Sequence, residues 1–193
     1  MRFQSSTGTL SDAGTISECG QAAGAGTVAG MTLMDVLTGF ARTGRIGPLE
    51  CGMPLTEAED LLGPGRPHPA IRLKGPDIDG YPYAWGGLNL YVTRRAVSGI
   101  SINLCPGSTA HLPELVLPDA ESYTSTVDRE QLLAALDAVG CERHLNDRLT
   151  FGKQSSILTR PADVYAVFGL RGRDDQVPHP GRHYLLAMYK HTA

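Results

Sequence analysis

From residue 32 onward, hydrophobic positions recur with two distinct periods. Leu33, Val36, Leu37 and Phe40 keep helical spacing, with Thr32 before them as a capping residue and Gly44 after them as a stop. A second helical run, Leu55, Ala58, Leu61 and Leu62, follows the Gly52 turn. Pro54 suits the first turn of that helix, Glu57, Glu59 and Asp60 lie near its start, and Gly63-Pro64-Gly65 ends it. The strongest helical signal is STVDREQLLAALDAVG at residues 125–140. There Thr126 is placed to cap, Leu132, Leu133, Leu136 and Val139 make the apolar stripe, and Gly140 is the stop.

Between the helical runs the period falls to two. Ile46 and Leu49 predict a short extended piece, and residues 71–73 a short strand. Residues 81–85 form an aromatic strand that turns at Gly86-Gly87 into Leu88, Leu90 and Val92, which alternate with Asn89, Tyr91 and Thr93. Arg94-Arg95 makes the next turn, and Val97, Ile100 and Ile102 lead towards Leu104. After the third helix, strands are expected at 141–145, 149–151, 155–159, 164–170 and 183–189, with a polar loop at 171–182. Such alternation reads as an antiparallel meander with one face buried.

The element order is helix, helix, meander, then helix, meander. This predicts an α+β fold, with helices packed on an antiparallel sheet and the second half a diverged copy of the first. The expected division is 31–105 as a helix–helix–meander module, 106–125 as a linker and 126–193 as a helix–meander module. Residues 1–30 are dominated by Gly, Ser, Thr and Ala and hold few large hydrophobes. Ordering such a segment costs about 1–2 kcal/mol per residue against little burial. They are expected to be a disordered leader, or the product of a start assigned upstream of Met31 or Met34.

Composition adds bounds. The chain of 193 residues is 41% hydrophobic and 19% charged, so a packed core is expected, and 23 glycines and 13 prolines imply many turns. A net charge of −3, from 17 basic and 20 acidic residues, gives no general attraction to nucleic acid or anionic membranes. No run approaches the roughly 18–20 apolar residues of a spanning helix, and residues 1–30 lack the apolar core of a secretory signal. A cytoplasmic location is therefore expected, with neither nucleic acid nor membrane as partner; the protein partner expected for this chain comes from the aromatic hairpin and the resemblance below. Cys19, Cys51, Cys105 and Cys141 have neither CxxC spacing nor a paired framework and read as idle thiols.

Catalytic chemistry has no anchor in the sequence. There is no G-x-S-x-G elbow, and Gly107-Ser108 sits in a proline-flanked loop. His179 and His183 are separated by Pro180-Gly181 and so cannot share a helix face; even with His191, Asp174 and Asp175 nearby no metal site is expected. His68 and His144 read as exposed. The GPGRP run at Gly63 lacks the Lys-Ser/Thr of a phosphate loop, and Asp77, Asp79 and Gly80 lack the later Glu of a calcium loop. No catalytic residue, metal ligand or cofactor is assigned.

Aromatic side chains are the remaining signal. Tyr81, Tyr83, Trp85 and Tyr91 crowd one hairpin, and Tyr and Trp are favoured interface anchors. Alternation places Tyr81, Tyr83 and Trp85 on one face, where they either meet a partner or cover the sheet. With the acidic turn residues Asp77 and Asp79 they form the candidate interface, and Asp174 and Asp175 are further acids able to meet a basic site.

Residues 46–104 carry a Gly52-Met53 turn, a helix ending in Leu62-Gly63-Pro64, an aromatic hairpin at Trp85-Gly86-Gly87, and the strands LNLYV and VSGISINL. This arrangement resembles the helix–meander module of BamE/SmpA-like outer-membrane assembly lipoproteins and of β-lactamase inhibitor proteins, the second half matching a degenerate tandem copy. Residues 1–30 hold neither a lipobox cysteine nor a signal sequence, so the pattern is most similar to cytosolic actinobacterial immunity-type proteins. The resemblance implies a non-catalytic protein that occludes a target stoichiometrically, as an immunity protein or enzyme inhibitor. Two alternatives make different demands on structure. An enzyme with a diffuse site needs a polar pocket around His144, Asp147 or the 179–183 loop. A small-ligand carrier needs a large apolar cavity between helix and sheet.

Overall fold

The computed structural model describes residues 31–75, 77–173 and 175–192, so the expectation for residues 1–30 lies outside the described residues. Helix α1 (Leu33–Thr43) forms where the pattern places it. A reciprocal capping box closes its first turn: the Asp35 N–H donates to the Thr32 hydroxyl, and the Thr32 N–H donates to the Asp35 carboxylate at 2.9 Å. The Thr32 hydroxyl also donates to the Asp35 carboxylate at 2.6 Å, and this bond together with the one from the Thr32 N–H holds the Asp35 carboxyl below its ordinary range. Gly44 ends the helix in the left-handed conformation, at φ +69°.

Helix α2 (Leu55–Leu62) starts one residue after Pro54, which caps rather than begins it. Residues 69–74 depart from expectation. They form a short helix, α3 (Pro69–Lys74), not a strand. Pro69 occupies the first turn, and the His68 ring nitrogen accepts the Ala70 N–H at 3.2 Å. Three alternating residues are too few to fix a period, and only Ile71 of this helix is buried. Helix α4 (Arg129–Ala138) is capped by Asp128 and not by Thr126. Asp128 accepts the Glu130 N–H at 2.9 Å, while the Thr126 hydroxyl is committed to the Gly107 N–H.

Eight strands make one sheet: β1 (Arg66–Pro67), β2 (Tyr81–Trp85), β3 (Leu88–Thr93), β4 (Ala96–Asn103), β5 (Glu142–Leu145), β6 (Gln154–Arg160), β7 (Val164–Leu170) and β8 (His183–His191). Their order is β1-β2-β3-β4-β8-β7-β6-β5 and every pairing is antiparallel. The fold is therefore α+β, as the pattern predicts. The expected strand at 149–151 is instead a 3-10 turn, Asp147–Leu149, followed by a single bridge from Phe151 to Gln154. The strand order is mirrored about the β4–β8 seam. Each half also carries an irregularity in the matching hairpin, at Tyr91/Val92 and at Val167/Phe168.

The two halves do not pack as separate modules. Helix α1, from the first half, lies on β6 and β7 of the second, and against α4, which in turn meets β8. One cluster runs from Leu37 and Phe40 through Leu90, Ile100 and Ile102 to Leu132, Leu136, Phe168 and Met188. Residues 106–125 are no loose linker: Ala110, Leu112, Val116, Leu117 and Ala120 all enter that cluster. Apolar burial at roughly 25 cal/mol per Å² makes this shared interior the main source of stability. A smaller cluster of Leu55, Ile71, Tyr83 and Val92 anchors α2 and α3 to the β2–β3 hairpin.

A candidate binding face on the uncovered side of the sheet

Strict alternation in β3 sorts the sheet into two sides. Leu88, Leu90 and Val92 are buried, while Asn89, Tyr91 and Thr93 are half-buried. All four described α-helices set apolar residues against the Leu88–Leu90–Val92 side, directly or through the two clusters. On the other side the pairings trace one row across all eight strands: Arg66, Ala84, Asn89, Ser101, Tyr189, Tyr165, Leu158 and His144. A second, shorter row holds Pro82, Tyr91, Gly99 and His191.

The rings on this side touch in series. Tyr91 meets His191 edge-on at 4.8 Å between centroids, His191 lies 5.5 Å from Tyr189, and Tyr189 stacks on Tyr165 at 5.1 Å and 18°. Gly99 makes this possible, since a Cβ there would collide with the His191 ring. Partial burial among these rings pushes the Tyr189 phenol above its ordinary pKa and the His191 imidazole below its own. Ser101, in the same row, is only 3% exposed and its hydroxyl has no hydrogen-bond partner among the described residues. The face is thus an assembly of Tyr, His, Asn, Ser, Gly and Ala, with Arg66, Pro82 and Leu158 among them. Rigid aromatic anchors among small polar groups are the composition of surfaces that bind proteins.

Of the six residues singled out from sequence, the four aromatics divide between the two sides and the two aspartates lie in the turn before β2. Tyr81, Tyr83 and Trp85 do share a face, as alternation predicts, but the register sets them opposite Val92, Leu90 and Leu88 on the helix-covered side. Tyr83 is 8% exposed among Leu55, Ile71 and Val92, and desolvation raises its phenol pKa. The Trp85 indole N–H donates to the Gly63 carbonyl at 2.9 Å. Tyr81 stacks on His68 at 5.1 Å. Of the four aromatics, Tyr91 alone points to the open face. Asp79 accepts the Arg94 N–H at 2.7 Å and so braces the β3–β4 turn, and exposed Asp77 lies 3.9 Å from Arg95. Asp175 accepts the Gly172 N–H and pairs with Arg171 at 3.5 Å, while Asp174 lies outside the described residues.

Sequence reasoning missed Tyr165, Tyr189 and His191. The signal was present, because Tyr165 alternates out of step with Val164, Ala166 and Phe168. What was not visible is that β8 pairs with β4, which brings Tyr189 and His191 beside Ser101 and Gly99.

Other candidate chemistry is dispersed. Ser108 donates to the Cys105 carbonyl and lies 3.1 Å from the Ser125 hydroxyl, and Ser125 also bonds the Cys105 carbonyl. His144 is exposed on the outer strand, 3.5 Å from Glu142. The His179 backbone is held by the buried Tyr184 hydroxyl, which accepts its N–H at 3.0 Å and donates to its carbonyl. Among the described residues no three His, Cys, Asp or Glu side chains converge as a metal set. Cys51, Cys105 and Cys141 are free thiols, and burial raises the pKa of Cys51 and Cys141. No described helix is long and apolar enough to cross a membrane. Neither protein-family models, curated proteins nor solved structures give a match to this chain.

Proposed function

We propose that this chain is a non-catalytic, stoichiometric protein-binding domain of the immunity-protein or enzyme-inhibitor kind, and that it binds through the uncovered face of its sheet. The observation that carries this reading is the ring series Tyr91–His191–Tyr189–Tyr165 on the side of the sheet that none of the described helices covers. Each tyrosine offers a large area at low entropic cost, and antiparallel backbone on both flanks holds the rings in place. Tyr91 keeps its role from the sequence reading; Tyr81, Tyr83 and Trp85 serve to cover the hairpin. The acidic turn residues Asp79 and Asp175 are occupied by backbone N–H groups of their own chain, so they contribute little to a basic partner.

The two other readings find less support. His144 lies exposed on the outer strand beside Glu142, and the His179 backbone is committed to the Tyr184 hydroxyl. The space between α1, α4 and the sheet is filled by Leu37, Phe40, Leu132, Leu136 and Phe168, all fully buried.

The test is affinity capture from cells of the source organism with the wild type and with the triple variant Tyr91→Ala/Tyr165→Ala/Tyr189→Ala. The expected result is one partner held at equimolar ratio by the wild type and lost by the variant, while both proteins unfold cooperatively. Recovery of chaperones alone, or equal capture by the variant, contradicts the proposal. An adjacent gene for a large modular toxin supports the immunity form of the reading.

A further inference from the structure

At the β1 end of the open face the row runs into a cleft of about 340 Å³. Its polar lining is Arg66, His68, Arg72 and Asn89, and no carboxylate contributes to it. Pro67, Pro69 and Pro82 wall the cleft, and their fixed backbone angles leave little to order on binding. Arg66 and Arg72 are exposed, and neither takes part in an ion pair among the described residues. Most other arginines of the described chain do: Arg45, Arg95, Arg129, Arg143, Arg160, Arg171 and Arg182 each have an acidic neighbour. In a chain with an excess of acidic residues, two free guanidinium groups on one cleft are a local reversal of sign.

The donors of the cleft are consistent with one kind of ligand. Each guanidinium presents a planar fork that matches a carboxylate. His68 accepts the Ala70 N–H at Nδ1, which leaves the ring proton on Nε2 as a further donor. The Asn89 amide supplies another and, being next to Ser101 in the row, joins the cleft to the tyrosines.

Resting on the open-face reading above, we infer that the partner places an acidic side chain, Asp or Glu, in the Arg66–Arg72 cleft while the adjoining segment lies along the Tyr189–Tyr165 row. Charge complementarity selects the partner's sign at this end, and the aromatic row supplies the apolar contact. Electrostatics of this kind chiefly sets specificity and association rate.

The probe is a pair of end-capped pentapeptides, Gly-Tyr-Glu-Tyr-Gly and its Gln counterpart, titrated into the full chain and followed by nitrogen–proton correlation spectra. The Glu peptide is expected to shift the Asn89 side-chain amide and the Arg66 and Arg72 Nε–H signals. The Gln peptide is expected to bind about tenfold more weakly, and Arg66→Gln/Arg72→Gln to abolish the difference while leaving the melting temperature unchanged. Equal binding of the two peptides, or a double variant that still prefers Glu, overturns the inference. Succinate shifting the same signals at the same concentration also overturns it, because the site then takes a free anion rather than a protein segment. Tyr165→Ala/Tyr189→Ala separates the two claims. If that variant keeps the Glu preference with undiminished affinity, the cleft stands and the aromatic row fails as the adjoining surface. If peptide binding weakens but the Glu preference is absent from the start, the row stands and the cleft fails.

Discussion

Gly99 and the four rings around it show what single residues decide here. A side chain at position 99 would displace His191 and break the ring series at its centre. Gly99→Ala is predicted to weaken partner binding while circular dichroism shows an intact sheet; unchanged affinity would show that the series is not used as a unit. His191 gives a second prediction. Burial among the rings lowers its folded pKa below the ordinary 6.5. The unfolded chain therefore takes up a proton first as pH falls, so His191 costs stability only below about pH 6.5, increasingly until its folded pKa is reached. Thermal melts from pH 7.5 to 5 are expected to fall less steeply for His191→Gln than for the wild type, and to coincide above pH 7 apart from a constant offset. On the covered side, Phe40 is fully buried, and Phe40→Ala is predicted to lower unfolding free energy by about 3–5 kcal/mol in urea titration. Tyr83→Ala acts in the same direction, which separates it from Tyr91.

Elements differ in how far they could be read from the chain. Helix α1, strands β2 and β3 and the turns at Gly86-Gly87 and Arg94-Arg95 follow from local rules: a capping box, strict alternation, and left-handed backbone at both arginines, with φ of 51° and 61°. Helix α3 could not be read, because Pro69 and the His68 cap outweigh a three-residue alternation. Asp128 rather than Thr126 marks the start of helix α4: Asp128 is 6% exposed, caps the helix and lies 3.5 Å from Arg182. Asp128→Ala is predicted to cost about 1 kcal/mol, within the range for lost N-caps. Asp128→Ser, which keeps the acceptor, is expected to recover most of that loss in the same denaturation assay. The candidate site was legible only in part for a related reason. Alternation shows that Tyr165 and Tyr91 face away from their own strands' apolar side. Nothing local says that β8 lies beside β4 and so gathers them on one surface.

At the scale of the whole molecule, the halves share one interior. The first half's α1 rests on the second half's β6 and β7, and the 106–125 connection is part of the core. Fragments 31–105 and 126–193 expressed separately are therefore predicted to lack cooperative unfolding, whereas the joined chain melts in a single transition; a fragment that folds alone would mean the interlock is dispensable. Among the described residues, this shared interior leaves one face of an eight-stranded sheet free of helices, with its aromatic row intact and its basic cleft at one edge. The claim that this face is the working surface is tested most directly by hydroxyl-radical footprinting of the chain alone and in complex with its captured partner. The account predicts protection of Tyr91, Tyr165, Tyr189 and His191 in the complex. Unchanged labelling of those four rings, with protection confined to α1 and α4, would contradict it.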